Sequence, residues 1–334
     1  MIPGTPEEAR WIRPEPRRTI SISLAEQMIH RAFPRAAVTR VEALTEGLRN
    51  ANFRLWLNSE NKSIVLRIYE HDHSLCQKEV DLLRSVRGEI PVPEVLYANA
   101  QPRDEIPPFA LLEYVEGISF RELKRVGGRE AVGEASASAG ETLAAIGRIT
   151  FAKSGWLAAG PTVTSSLLEG VDAMPRFIDL CLASSDLQRR LNADLRDRIH
   201  LLIWRWAPEL ASLDDQRSLV HCDFGSRNLL LRNIEGRWRV AAVLDWEFAV
   251  SGSPLTDIGH FLRYERAARP TREPHFSTAY LHAGGILPDE WRQLSRLLDL
   301  SALCEALTRD ELPTAIEAEL VELVRATVEN RDPE

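Results

Sequence analysis

Asp223, Asn228 and Asp245 are the residues whose types and spacing are best suited to chemistry. Asn228 follows Asp223 by five positions, and Asp245 follows Asn228 by seventeen. Hard divalent cations such as Mg²⁺ prefer oxygen ligands, and they commonly take one or two from the protein and the rest from phosphates and water. Asn228 and Asp245 can supply such ligands. Asp223 is then left to accept or orient the proton of a hydroxyl group.

The segment between these residues has the pattern of a β-hairpin. Apolar runs at 229–231 and 240–244 flank a polar stretch at 232–239. This pattern predicts two short buried strands joined by a turn. Such a hairpin would return Asp245 to the side of Asn228, where one ion could bind both. The alternative is a buried hairpin with incidental acids at its ends. The agreement between the polar positions and the apolar pattern favours the metal site.

The segment 221–247 resembles the catalytic and metal-binding loops of the aminoglycoside phosphotransferase family, which shares the protein-kinase-like fold. In kinases, an Asn five residues after the catalytic Asp holds Mg²⁺, and a later Asp binds metal. The resemblance implies that Asp223 is catalytic and that Asn228 and Asp245 bind Mg²⁺. It also implies ATP or GTP as the phosphoryl donor.

Three details around these loops refine the resemblance. The triplet Asp-Trp-Glu at 245–247 is similar to the small-molecule branch of the fold, and no Ala-Pro-Glu follows it, which argues against a protein kinase. Cys222 occupies a position where the family usually has a small residue such as glycine, and we interpret it as a small filler. We expect His221 to support the loop rather than to transfer protons.

A strand–loop–strand unit is predicted over residues 38–57. Val38 to Thr45 and Phe53 to Leu57 have the composition of strands, and the polar loop 46–52 lies between them. The resemblance implies that this loop covers the nucleotide phosphates, with Gly47 and Asn50 among its contacts. A plain hairpin turn would have the same sequence pattern.

The next predicted strand, 64–69, carries Arg67 where kinases place a phosphate-binding Lys. Arginine keeps its charge and can fork onto phosphate, although Arg and Lys are not interchangeable. Glu79, on a helix predicted over 74–86, is the expected partner of Arg67. The alternative is a surface ion pair of little energetic value.

A strand predicted over 109–115 resembles the last strand of a kinase N-lobe. The resemblance implies that backbone groups of Glu113 and Val115 bind the purine. Backbone recognition leaves the choice between adenine and guanine open.

The remainder of the chain is predicted to be helical. Asp257 is expected either to brace the catalytic loop or to cap its own helix. We expect a bilobal α+β kinase-like fold with an N-terminal nucleotide-binding lobe over 1–115 and a helical lobe over 116–334. Helices are expected over 23–33 (from a Ser-x-x-Glu capping box), 131–150, 165–183, 187–206, 257–264, 272–283, 288–308 and 313–329.

Composition limits the function classes. The chain has 334 residues and a net charge of −8, and from residue 151 onward 28 acids stand against 21 bases. This balance argues against nucleic acid as a partner and suits a cationic substrate, although ordinary solvated helices would give the same count. No apolar run approaches the roughly 18 residues that a membrane helix needs. Without a leader pattern we expect a cytoplasmic protein. The four cysteines form no Cys-x-x-Cys.

These features predict Mg²⁺-dependent transfer of a γ-phosphoryl group to a hydroxyl of a small molecule, with a cationic antibiotic such as an aminoglycoside as the leading acceptor. Two alternatives stay open. One is a housekeeping kinase for choline, a sugar or an amino-alcohol, and the other is a nucleotide-binding pseudokinase without turnover. The sequence does not determine the oligomeric state.

Overall fold

The computed structural model describes residues 19–44, 50–58, 63–102, 106–266 and 269–329. The first part of the chain forms one antiparallel sheet and two helices: α1 (Ile22–Ile29), β1 (Val38–Leu44), β2 (Ala51–Leu57), β3 (Ser63–Ile68), α2 (Ser74–Val86), β4 (Val95–Asn99) and β5 (Phe109–Glu113). The strands lie in the order β1-β2-β3-β5-β4. Alternate residues of β2, including Phe53 and Leu55, are buried in a small core with Met28 and Ile29 of α1.

The first helix begins earlier than its sequence pattern indicates. The Ser21 hydroxyl accepts a hydrogen bond from the Leu24 N–H, so Ser21 is the N-cap. The capping box expected at Ser23 is therefore wrong. Its Glu26 instead accepts a hydrogen bond from the N–H of Val38, which ties α1 to β1.

The second part is mainly helical and contains two smaller sheets. Its elements are β6 (Ile118–Ser119), α3 (Phe120–Val126), α4 (Arg129–Arg148), β7 (Gly155–Ala158), β8 (Thr162–Ser165), α5 (Ala173–Ala183), α6 (Ser185–Arg190), α7 (Ala193–Arg205), α8 (Ala207–Ala211), β9 (Ser218–Val220), β10 (Leu229–Ile234), β11 (Arg237–Val243), β12 (Val250–Gly252), α9 (Leu255–Leu262), α10 (His275–His282), α11 (Trp291–Ala306) and α12 (Thr314–Glu329). Among the described residues, no helix is both long and apolar enough to cross a lipid bilayer.

Two of the predicted helices are interrupted. The helix expected over 165–183 starts only at Ala173, because Gly170 and Asp172 adopt left-handed backbone conformations that a right-handed helix cannot include. The helix expected over 187–206 is split into α6 and α7. The Asn192 side chain accepts a hydrogen bond from the Leu195 N–H and caps α7.

The predicted hairpin is confirmed. Strands β10 and β11 pair antiparallel, with Leu229 opposite Val243. Beyond the paired strands, the Leu244 N–H donates to the Asn228 carbonyl at 2.8 Å. The chain entering Asp245 therefore runs directly beside Asn228, as the apolar pattern indicated.

The hinge between β5 and β6 crosses this hairpin at close range. A Cβ atom at Gly117 would lie 2.6 Å from the carbonyl oxygen of Leu231, so only glycine allows the crossing. Ile118, the next residue, pairs with Leu231. The boundary between lobes after residue 115 stays a prediction, and it falls within this hinge.

Candidate active site

Asp223 lies near the start of the loop that joins β9 to β10. Its Oδ2 accepts a hydrogen bond from Asn228 Nδ2 at 2.8 Å, and its backbone carbonyl accepts a second one from the same nitrogen at 2.9 Å. The amide of Asn228 is thereby oriented with both donor contacts on Asp223. Its Oδ1 is left as the acceptor that can meet a cation.

The environment of Asp223 makes its carboxylate a better base than a free aspartate. Burial and the negative charge of Asp245 raise the pKa of Asp223 to about 7, although the hydrogen bond from Asn228 lowers it. Its side chain is still 38% exposed, so solvent or an acceptor can reach it and screen its charge. A general base whose pKa lies near neutrality is well matched to taking a proton from a hydroxyl group.

A buried carboxylate from α9 braces the loop 221–228. Asp257 accepts hydrogen bonds from the N–H groups of His221 at 2.7 Å and Cys222 at 2.8 Å. Cys222 has a φ of 66°, in the left-handed region that favours glycine, which explains why a small residue suits this position. Since α9 has Pro254 as its N-cap and no side-chain cap, the bracing role applies rather than the capping role.

The ring of His221 is engaged on both nitrogens. Its Nε2 donates to the Leu244 carbonyl at 2.8 Å, and its Nδ1 accepts from the Asp223 N–H at 3.1 Å. Burial lowers the pKa of His221 to about 4, so the ring is neutral. The geometry is that of a residue which supports the loop.

Asp245 lies across from Asn228 and is anchored by the N-terminal sheet. Arg67 of β3 donates from Nη2 to Asp245 Oδ1 at 2.5 Å, and its Nε lies 2.9 Å from Glu79 Oε2. All three side chains are largely buried. Burial lowers the pKa of Arg67, but the charges of Asp245 and Glu79 outweigh this and raise it well above its usual value. The structure therefore brings together the predicted pair, Arg67 and Glu79, and makes it a buried one.

The donor set suits Mg²⁺. The amide oxygen of Asn228 and the second carboxylate oxygen of Asp245 are hard ligands on adjacent chain segments. Mg²⁺ typically needs only one or two protein ligands and takes the rest from phosphates and water. Within the described part of the chain, no group of three or more His, Cys, Asp or Glu side chains is placed to hold a metal ion.

Comparison with known proteins identifies the family. The model of the family described as "APH: Phosphotransferase enzyme family" matches residues 40–297. This chain belongs to that family. The aminoglycoside phosphotransferase resemblance noted in the sequence is thus confirmed.

Solved structures share the fold of this chain. Wild-type aminoglycoside 2'-phosphotransferase-IIIa in its GDP complex aligns with a TM-score of 0.68 and 18% identity, covering 93% of this chain and 99% of that one. Apo APH(4)-Ia, as a thermostable mutant, aligns with a TM-score of 0.63 and 18% identity, covering 91% and 98%. A ternary complex of an APH(4)-Ia variant holds AMP-PNP and hygromycin B, with a TM-score of 0.62, 18% identity and coverage of 90% and 98%. The bilobal kinase-like α+β fold is therefore confirmed.

Curated relatives match only a short part of this chain. Acyl-CoA dehydrogenase family member 11 of Gallus gallus is 38% identical over 61 residues, which is 18% of this chain and 8% of that protein. The Homo sapiens protein of the same name is 44% identical over 48 residues, or 14% and 6%. The chain thus spans less than a tenth of the length of these relatives.

The described residues among the predicted nucleotide contacts lie in or next to strands of the N-terminal sheet. Gly47 lies outside the described residues. Asn50 is buried, and its Nδ2 donates to Glu247 Oε2 at 2.9 Å. Glu113 ends β5, where it pairs with Ile64 of β3, and its backbone N–H donates to the Glu94 carbonyl at 2.9 Å. Val115 follows in the half-buried hinge. These nucleotide contacts stay predictions.

Sequence reasoning missed the polar contacts that join the sheet to residues 245–247. Lys78 of α2 is buried, and its Nζ donates to the Glu247 carbonyl at 2.8 Å. Glu79 accepts a hydrogen bond from the Trp246 N–H at 3.0 Å and another from the Tyr69 hydroxyl at 2.6 Å. The apolar stripe on α2 indicated which face is buried, but a lysine on a predicted helix gives no signal that it will be enclosed.

Proposed function

We propose that this chain transfers the γ-phosphoryl group of a Mg²⁺-bound nucleoside triphosphate to a hydroxyl group of a small molecule. The observation that carries the proposal is the accessible carboxylate of Asp223, whose pKa is raised to about 7 and which is fixed beside Asn228 and Asp245. The family supports phosphotransferase chemistry. A nucleotide-binding scaffold without turnover has no chemical need for this set, which argues against the pseudokinase alternative.

Each residue has a distinct role in the proposed reaction. Asp223 orients the acceptor hydroxyl and takes its proton as the oxygen approaches phosphorus. Asn228 and Asp245 would hold Mg²⁺, which would neutralise charge on the phosphates. Arg67 keeps Asp245 in place and adds positive charge on the nucleotide side of the site. Phosphoryl transfer depends chiefly on such positioning and charge neutralisation.

The remaining contacts of the donor are proposed from the family resemblance. Gly47 and Asn50 would contact the phosphates, Glu79 would fix Arg67, and the backbone of Glu113 and Val115 would bind the base. GDP and AMP-PNP are bound in two of the similar structures, which supports a nucleotide donor of either base.

A cationic acceptor is proposed on the charge balance beyond residue 150, where acids exceed bases. Hygromycin B and kanamycin are bound in two of the similar structures. Glu247 does not contribute to such an acceptor site, because it is 2% exposed and accepts its hydrogen bond from Asn50. The carboxylates that meet an ammonium group must therefore come from other residues.

The charge of the acceptor is tested by assaying phosphoryl transfer to kanamycin, choline, glucose and glucose 6-phosphate. Nucleotide consumption and the mass of the acceptor product are measured at low and high salt. With a cationic acceptor we expect turnover on kanamycin, and its KM should rise steeply with added salt because exposed charges are screened. Turnover only on glucose or only on glucose 6-phosphate would contradict a cationic acceptor. No transfer to any hydroxyl compound would overturn the proposed reaction.

The metal assignment predicts the Mg²⁺ dependence of two variants. Asp245→Asn and Asn228→Ala should each raise the Mg²⁺ concentration needed for half-maximal activity by about 10–100-fold, because each removes a charged or polar ligand contact worth about 1.5–3 kcal/mol. Activity is titrated with Mg²⁺ at saturating nucleotide. Asp194→Asn, at a side chain that is 81% exposed, is the control. If the Mg²⁺ concentration for half-maximal activity is unchanged in both variants, Mg²⁺ binds at other residues.

A further inference from the structure

A second side chain reaches the proposed general base from α9. His260 Nε2 lies 3.2 Å from Asp223 Oδ1, while Asn228 Nδ2 lies 2.8 Å from Asp223 Oδ2. The two carboxylate oxygens are thus met by nitrogens from two different elements. A carboxylate held on both oxygens cannot rotate about χ2 without losing one of these contacts.

The neighbours of His260 determine which ring nitrogen carries the proton. Arg263 Nη2 lies 3.3 Å from His260 Nδ1. A guanidinium group has donors only, so Nδ1 must be the acceptor and the proton of the neutral ring must be on Nε2. His260 therefore donates from Nε2 to Asp223.

Arg263 is itself fixed in position. Its Nε and Nη2 donate to Asp299 Oδ2 and Oδ1 at 2.9 and 2.6 Å, and both side chains are largely buried. A forked pair of this kind restricts the guanidinium to one orientation. The orientation of His260 thereby depends on a pair that lies one helix further from the site.

The charge state of His260 suits a donor to a base. Burial and the positive charge of Arg263 lower the pKa of His260 well below its usual value, so the ring is neutral. A cation at this position would lower the pKa of Asp223 and weaken it as a base. A neutral N–H of His260 fixes the Asp223 carboxylate and lowers its basicity less than a cation would.

Gly225 gives independent geometric support. A Cβ atom at this position would lie 2.9 Å from His260 Nε2, whereas its backbone φ is not in the left-handed region. The glycine is thus required by the approach of the imidazole and not by its own backbone conformation.

We propose that His260 is a positioning residue for Asp223, held in the donating tautomer by Arg263 and Asp299. The proposal rests on the proposed function, because it concerns the geometry of the same reaction. In the proposed reaction, His260 contacts neither the nucleotide nor the acceptor. Its contribution is to keep one lone pair of Asp223 directed at the hydroxyl.

The test compares His260→Leu with His260→Gln, using MgATP and the acceptor selected by the panel above. His260→Leu should lower kcat by about 10–100-fold, as loss of a group that orients a site ligand does elsewhere, and leave KM for MgATP unchanged. His260→Gln keeps an N–H donor at a similar reach and should recover most of this loss. His275→Leu is the matched control, because His275 also packs against a glycine. A Cβ atom at Gly133 would lie 2.9 Å from His275 Nε2.

Gly225→Ala provides a second route that leaves His260 in the chain. It should reproduce the loss of kcat even if His260→Leu does not fold, since the added methyl displaces the imidazole. A kcat within about twofold of the parent in folded His260→Leu, or no recovery in folded His260→Gln, would overturn the proposal. Normal turnover of His260→Leu beside an inactive Asp223→Asn would overturn only this inference. Absence of turnover in the parent would overturn the proposed function itself.

Discussion

Asp223→Asn is expected to lower phosphoryl transfer by about 10²–10⁴-fold, the usual contribution of a positioned general base. The amide is nearly isosteric with the carboxylate and keeps one oxygen to accept from Asn228, although its NH2 group then faces the N–H of His260. It cannot accept the hydroxyl proton, and it removes the negative charge beside Asp245. Because Asp223 faces the acceptor, affinity for nucleotide should stay close to that of the parent.

Single-turnover kinetics and direct titration with nucleotide measure these two quantities separately. Asp194→Asn is the matched control, since it makes the same chemical change at a side chain that is 81% exposed. Turnover of Asp223→Asn within about twofold of the parent would rule out Asp223 as the base. If Asp223→Asn also lost affinity for nucleotide, Asp223 would contact the nucleotide rather than the acceptor.

Arg67→Ala is expected to destabilise the fold by about 3–5 kcal/mol, because removal of one member of a buried ionic group leaves its partners uncompensated. Two carboxylates, Glu79 and Asp245, would lose their shared cation, and both are largely shielded from water. Asp245 would also lose the contact that fixes it beside Asn228. We therefore expect nucleotide use to fall together with the free energy of unfolding.

Arg67→Lys separates charge from geometry. The Lys ammonium group restores the positive charge, but it lacks the planar arrangement of donors with which Arg reaches both carboxylates. Part of the stability and part of the nucleotide use should therefore return. Urea denaturation and the KM for MgATP are measured for both variants. Arg309→Ala removes an exposed ion pair with Glu305, worth about 0–1 kcal/mol, and serves as the control. A loss for Arg67→Ala no larger than that of this control would contradict the buried network.

The catalytic hairpin and its polar ends could be predicted from the sequence because their information is local. Apolar runs and a polar turn specify the pairing of β10 with β11, and this pairing brings Asp245 to Asn228 whatever the rest of the chain does. Arg67 and Glu79 were also predicted as partners, from the resemblance to kinases, which pair a strand Lys with a helix Glu.

Local patterns did not decide the helices around residues 165–206. One helix was predicted over 165–183, where the left-handed residues Gly170 and Asp172 prevent it before residue 173. A conformation with positive φ is selected by how the following helix packs, and neither residue type requires it. The composition of the segment was compatible with both outcomes.

The bracing of the site was decided by tertiary structure alone. Asp257 reaches the loop N–H groups across 36 and 35 residues of sequence, and Asn50 reaches Glu247 across 197. His260 meets Asp223 only because α9 packs beneath the loop and Gly225 leaves room for the ring. The sequence by itself determined which residues can do the chemistry, since type and short spacing encode ligands and a base. Only the packed chain decided which distant side chains orient them, because hydrogen bonds form at about 3 Å, a distance that residue order does not encode.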